Sequence, residues 1–235
     1  MNALKTSPAH EDYLKALFKL AELTPDAPVS TSAVAERLNI AQASATAMLK
    51  KLGQEGLVHY ERYQGARLTP AGAAIAVDMI RRHRIIETFL VRDLAVPLEE
   101  VDAEAEVLEH AFSSALIDRL WRHLGCPEFD PHGAPIPAPD EAPIERRDLV
   151  ALTALALGER ACIVRLAAQN AGQLKLLSKL GLVPGQSVTR AADSLAGSDV
   201  LLMTDNRPML PVSMSLAETI WVVRTGGSGQ SANAQ

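Results

Sequence analysis

The sequence is short of the features that mark several protein classes. It has two cysteines in 235 residues, Cys126 and Cys162, far apart and outside any CxxC pattern. That excludes a disulfide framework and leaves reduced, structural thiols. No stretch approaches the roughly 18 to 20 consecutive apolar residues of a membrane span. The opening "MNALKTSPAHEDY" has no apolar core of a secretory signal, so a cytoplasmic protein without membrane contact is expected. HExxH, GxSxG and a phosphate-cradling glycine loop are all missing. "EVLEH" resembles an inverted HxxEH zinc motif, but Glu106 stands where an imidazole is required, so no enzyme is expected. Finally, residues 97–110 hold six Asp and Glu and no Lys or Arg.

Charge is unevenly spread. The formal net charge is −5, yet residues 1–70 carry eight basic against seven acidic side chains. A nearly neutral N-terminal part can still turn a basic face toward phosphates. Its pattern is helical. "AHEDYLKALFKLAEL" (9–23) spaces Leu14, Leu17, Phe18 and Ala21 on one face and stops before Thr24-Pro25. Ser30, Thr31 and Ser32 are all candidate caps for a second helix facing inward with Val34, Ala35 and Leu38, and Asn39 suits its end. A third helix, "AQASATAMLKKLGQEGLV", puts Ala45, Met48, Leu49 and Leu52 inward. Two short helices joined tightly after a packing helix make a helix-turn-helix. Val58 and Tyr60, then Ala66 and Leu68, alternate about the turn "RYQG" as a small wing.

"LTPAG" starts the next helix, with Thr69 as cap and Pro70 in the first turn, over about 70–94. Another is expected from about Pro97 to Leu124, with a break near Ser113-Ser114. Six of the fourteen prolines fall in 127–143, which reads as an extended linker. Beyond about 145, "CIVRLA", "SVTRAA", "VLLMTD" and "TIWVVR" are β-prone runs separated by turns, consistent with a small β-barrel. The tail "GGSGQSANAQ" reads as disordered.

Acid runs are usually solvated faces. On a helix, however, Asp102, Glu106, Glu109 and His110 share one side, and like charges at that spacing destabilise it. The preceding helix carries His83 and Glu87 at i, i+4, able to meet them. Carboxylates buried without Lys or Arg need a counter-charge, which a divalent cation supplies. Carboxylate oxygens with imidazole suit Mn²⁺ or Fe²⁺, and there is no thiolate.

In order, "EDYL", a winged helix-turn-helix, "LTPAG", "RRHRIIETFL", "VDAEAEVLEH" and "HGAPIPAPDE" with a terminal β-module resemble the DtxR/MntR family of metal-dependent transcriptional repressors. The resemblance implies a mainly α protein with small β parts: a winged helix-turn-helix domain (1–72), a helical dimerisation and metal-binding domain (73–126), a linker (127–146), an SH3-like domain (147–225) and a tail (226–235). By position it implies a primary metal site of Asp12, Glu106, Glu109 and His110. His83 would serve a neighbouring ion, with Glu87 ancillary and Asp102 where iron-responsive members have His. Gln169 or Gln173 would be SH3-like-domain ligands. Asp12 and Glu106 match the manganese-responsive branch, whereas the domain count matches the iron-responsive one. Lys15 stands where the manganese branch has Glu, a departure from that branch's two-manganese cluster. The resemblance further implies a homodimer that binds a double-stranded operator and represses metal-uptake genes when Mn²⁺, or Fe²⁺, is bound. Gln42, Ser44 and Thr46 are the candidate base contacts, with Lys50, Lys51 and Arg62 toward phosphates. The competing reading is a winged-helix regulator controlled by a small organic ligand or a protein partner, with the acids left in solvent.

Overall fold

The computed structural model describes residues 6–22, 27–138, 148–168, 170–194 and 198–225. Helix α1 (Pro8–Ala21) begins with proline in its first turn and buries Tyr13, Leu14 and Leu17, together with the less expected Lys15. The Ser30 hydroxyl accepts the Ala33 N–H at 3.1 Å and caps α2 (Thr31–Arg37). Asn39, at φ 52°, turns the chain into α3 (Gln42–Gln54), whose Ala45, Leu49 and Leu52 are buried. Strands β1 (Val58–Glu61) and β2 (Gly65–Leu68) form the wing, with Val58 opposite Leu68 and Tyr60 opposite Ala66. Residues 23–26, including the Thr24-Pro25 stop, lie outside the described residues.

Thr69 caps α4 (Pro70–Leu94) by accepting the Gly72 N–H. This 25-residue helix belongs to two cores. Ala76 packs with Leu14, Leu17 and Leu52 of the winged helix. Further along, Ile85, Ile86 and Leu90 pack with Val101, Ala105 and Ile117 of α5 (Val101–Leu108) and α6 (Ser114–His123). The break between those two helices falls at 109–113, with the Ser113 hydroxyl capping α6. One rigid rod thus carries the winged helix at one end and the acidic helix along the other.

The first part of the proline-rich stretch is docked rather than extended. The Asp130 carboxylate accepts the N–H groups of His132 and Ala134, Phe129 bridges Pro135, and Ile136 is buried in the helical core. An Asp-initiated turn and one buried isoleucine override the polyproline preference of the local sequence. Residues 139–147 lie outside the described residues.

The C-terminal unit is an antiparallel sheet ordered β3-β8-β4-β5-β6-β7, built from β3 (Val150–Ala151), β4 (Arg160–Leu166), β5 (Ser187–Asp193), β6 (Asp199–Thr204), β7 (Arg207–Ser213) and β8 (Ile220–Arg224). Register shifts at 163/165, 190/192 and 202/204 bend it around a core of Leu152, Ile163, Leu177, Leu202 and Val222. Several elements lie outside the β-prone runs, among them a helix and strand β7. Helix α7 (Ala171–Leu180), capped by Asn170 and ended by Gly181 at φ 74°, covers the core with Leu174 and Leu177. Strand β7 contains two prolines and pairs only with β6, the edge position where a missing N–H is tolerated. A short helix, α8 (Met214–Ala217), precedes β8. No described helix is long and apolar enough to cross a membrane.

Candidate metal centre

Burying α1 against α4 brings its polar residues onto the acidic stretch. His110 receives two carboxylates from α1, Glu11 Oε2 at 2.9 Å from Nδ1 and Asp12 Oδ1 at 2.8 Å from Nε2. Beside it, the Glu109 side chain is fully buried. Asp12, Glu109 and His110 each present a donor atom within 4.8 Å of the others. Two donors bound to one ion at about 2.2 Å lie at most about 4.4 Å apart, so small side-chain adjustments suffice. Two carboxylates and an imidazole, without sulfur, fit Mn²⁺ or Fe²⁺.

His83, Asp102 and Glu106 form a second group within the same limit, and Glu87, Asp130 and His132 a third. Glu106, expected with Asp12, Glu109 and His110, groups here with His83 and Asp102 and is linked to Glu109 through Lys15. His83 is the hub of the second group, with Nδ1 2.8 Å from Glu109 Oε2 and Nε2 3.2 Å from Asp102 and 3.3 Å from Glu87. Asp130 and His132 carry little signal in the sequence. "FDPHG" holds two donors two residues apart, but its proline-rich surroundings read as linker. Gln173 lies in the first turn of α7, where its backbone N–H donates to the Asn170 side chain. Gln169 lies outside the described residues.

The absence of cations within 97–110 is answered from 91 and 94 residues away in the chain. The Lys15 ammonium lies 2.8 Å from Glu106 Oε1 and 2.7 Å from Glu109 Oε2. It is also 3.0 Å from His83 Nδ1. A protonated imidazole cannot accept from an ammonium, so Nδ1–H donates to Glu109 and Lys15 is held by the carboxylates.

Burial works against a charge on His83, but hydrogen bonds to Asp102, Glu109 and Glu87 prevail and push its pKa from 6.5 to about 10. The His83 hydrogen bond in turn holds Asp102 below the usual carboxylate range. Glu109 is also held low: burial opposes this, and His83 and Lys15 outweigh it. His110 is raised despite burial, by Asp12 and Glu11. A group with a raised folded pKa stabilises the fold fully below its unfolded value and loses that contribution as pH climbs through the folded one. Metal-free protein is therefore expected to lose stability between pH 6.5 and about 10. Urea denaturation in chelator across that range should show a shallower slope for His83→Gln, and equal slopes would remove His83 from this role.

At the other end of the rod, Gln42, Ser44, Lys50, Lys51 and Arg62 are exposed. Thr46 donates its hydroxyl to Gln42 O at 2.9 Å, which occupies it within its own helix. Lys51 Nζ lies 4.0 Å from Glu55. The wing tip adds Tyr63, 90% exposed under the Arg62 guanidinium at 4.9 Å. Its signal was the aromatic inside "RYQG". An exposed helix-turn-helix and wing, on a helix whose far half gathers carboxylates and imidazoles against the first helix, define a metal-responsive DNA-binding regulator.

The comparisons agree along the chain. Residues 5–66 match the iron dependent repressor N-terminal DNA binding domain. Residues 69–138 match the iron dependent repressor metal binding and dimerisation domain. Residues 150–224 match the FeoA domain. The iron-dependent repressor IdeR of Mycobacterium tuberculosis is 30% identical over 220 residues, covering 88% of this chain and 94% of its own. The HTH-type transcriptional regulator MntR of Bacillus pumilus is 36% identical over 115 residues, 49% of this chain and 78% of its own. A solved manganese-dependent transcriptional repressor in complex with manganese superposes with a TM-score of 0.83 at 32% identity, covering 92% of this chain and 99% of that one. The chain belongs to the DtxR/MntR family of metal-dependent transcriptional repressors, DNA-binding regulators rather than enzymes.

Proposed function

We propose that this repressor senses Mn²⁺, with Fe²⁺ the alternative, through Asp12, Glu109 and His110, and that it acts in the cytoplasm as a homodimer on operators of metal-uptake genes. The observation carrying this reading is the position of α1. Asp12 rides on the DNA-binding unit, whereas Glu109 and His110 end the acidic helix of the second unit. A bound dication supplies the positive charge that joins those three side chains. Joining them holds α1 against α5 and sets the winged helix relative to its two-fold mate. A dimer must place both recognition helices in major grooves about 34 Å apart or a multiple of that, so a fixed angle favours DNA. Metal and DNA affinities are then reciprocally linked, by about 1–3 kcal/mol in such systems.

Gln42, Ser44, Lys50, Lys51 and Arg62 are the proposed DNA contacts, with Thr46 marginal because its hydroxyl is already used. Glu87, Asp130 and His132 are a proposed accessory metal site, and His83, Asp102 and Glu106 line the space between the two. Manganese is favoured over iron by oxygen-rich donors without sulfur. The test is fluorescence titration of a promoter fragment against Mn²⁺, Fe²⁺ and Zn²⁺, for wild type and His110→Ala. Expected are Mn²⁺-dependent binding, its loss in chelator, and its loss in the variant. Equal binding in chelator would defeat the reading.

A further inference from the structure

Lys15 is an unusual neighbour for a metal centre. Its side chain is 4% exposed, and its ammonium is placed as an ion would be. It contacts Glu106 Oε1 at 2.8 Å, the two Glu109 oxygens at 2.7 and 2.9 Å, and His83 Nδ1 at 3.0 Å. These donors come from α4, α5 and the turn after α5, whereas Lys15 stands on α1, one turn beyond Asp12. The ammonium therefore lies between the Asp12–Glu109–His110 group and the His83–Asp102–Glu106 group, touching a member of each.

We propose that the Lys15 ammonium is a resident cation that takes the place of a second metal ion, so that the pocket accepts one dication at Asp12–Glu109–His110 and excludes another from His83–Asp102–Glu106. The inference rests on the metal-site reading above. A dication on Glu106 and His83 would face a positive charge already within hydrogen-bond distance of two of that group's three ligands, whereas at Asp12–Glu109–His110 only Glu109 is so engaged. Being tethered, the ammonium forfeits no translational freedom on binding and cannot be removed by chelation. It also quenches part of the carboxylate repulsion in the metal-free protein, because Glu106 and Glu109 already share a cation that belongs to α1. The first helix is thus partly docked before any metal arrives, and Asp12 and His110 remain as the contacts that respond to it.

The readout is the electron paramagnetic resonance of bound Mn²⁺, which distinguishes isolated ions from an exchange-coupled pair a few ångström apart. Wild type, Lys15→Glu and Lys15→Gln are titrated with Mn²⁺. All three, including the parent with Lys15 intact that is called wild type below, carry Asp130→Asn, so that an ion at Glu87–Asp130–His132 cannot supply coupling. Wild type is expected to bind one Mn²⁺ per chain with an uncoupled signal. Lys15→Glu, which exchanges the cation for a carboxylate donor, should bind two with a coupled signal. Lys15→Gln serves if Lys15→Glu does not fold, and it should show coupling at higher Mn²⁺. Coupled ions in wild type, or uncoupled single ions in whichever Lys15 variant folds, overturn the proposal and leave the metal-site reading intact. No Mn²⁺ bound by wild type overturns both.

Discussion

Replacing Glu109 with alanine is expected to abolish metal-dependent DNA binding and to destabilise the metal-free protein by about 3–5 kcal/mol, the usual cost of removing one partner from a buried charge cluster. Its carboxylate is fully buried and accepts from Lys15 and from His83. Removing it takes away the carboxylate that the Lys15 ammonium and His83 Nδ1, 3.0 Å apart, share. The same carboxylate is one of the three donors beside Asp12 and His110, so the metal response falls with it. Glu109→Gln separates the two effects. An amide keeps an acceptor toward Lys15 but supplies no negative charge to a dication, so the fold should recover further than the response. Urea denaturation in chelator and promoter titration with Mn²⁺ report the two quantities. A Glu109→Ala protein that binds its operator within threefold of wild type under Mn²⁺ would show that the metal centre lies elsewhere.

The second large effect is expected at Gly133, far from any charge. Its φ is 84°, and a Cβ there would come within 1.7 Å of Val164 O and 2.9 Å of Arg165 Cα, both backbone atoms of β4. Neither can swing aside as a side-chain tip would. The neighbouring His132 is held from both sides, its carbonyl by the Leu166 N–H at 2.8 Å and its Nε2 against Leu98 O at 3.2 Å. Gly133→Ala should therefore cost about 2–4 kcal/mol, from the positive φ and the overpacking together. It should also loosen the C-terminal sheet from the helical unit. Calorimetry is expected to resolve two unfolding transitions where wild type shows one. Because His132 Nδ1 lies 3.5 Å from Glu87, ion binding at Glu87–Asp130–His132 should weaken as well. A single transition at the wild-type temperature would mean that the turn is not a structural joint.

Much of this was legible in one dimension because it depends on neighbours in sequence. Ser30 caps α2, Thr69 and Pro70 open α4, Ser113 opens α6 after the break, and the "RYQG" turn joins the two wing strands. Capping and turn formation act over about four residues, so the letters suffice. The strand with two prolines and the helix "AGQLKLLSKL" were less legible. Their assignment depends on an edge position and on a core to cover, which no local window contains. The docked half of the proline-rich stretch failed for the same reason, since burial of Ile136 is a tertiary fact.

The candidate centre divides along this line. The chain's own letters placed Asp102, Glu106, Glu109 and His110 on one side of a segment, offered oxygen and imidazole as candidate donors, and supplied no positive partner nearby. They were silent on which partner. Lys15 lies on another helix more than ninety residues earlier, and Coulomb attraction depends on separation in space, which the packing of α1 against α4 fixes. Packing likewise drew Glu106 to Lys15 and His83, and folded Asp130 and His132 back onto Glu87.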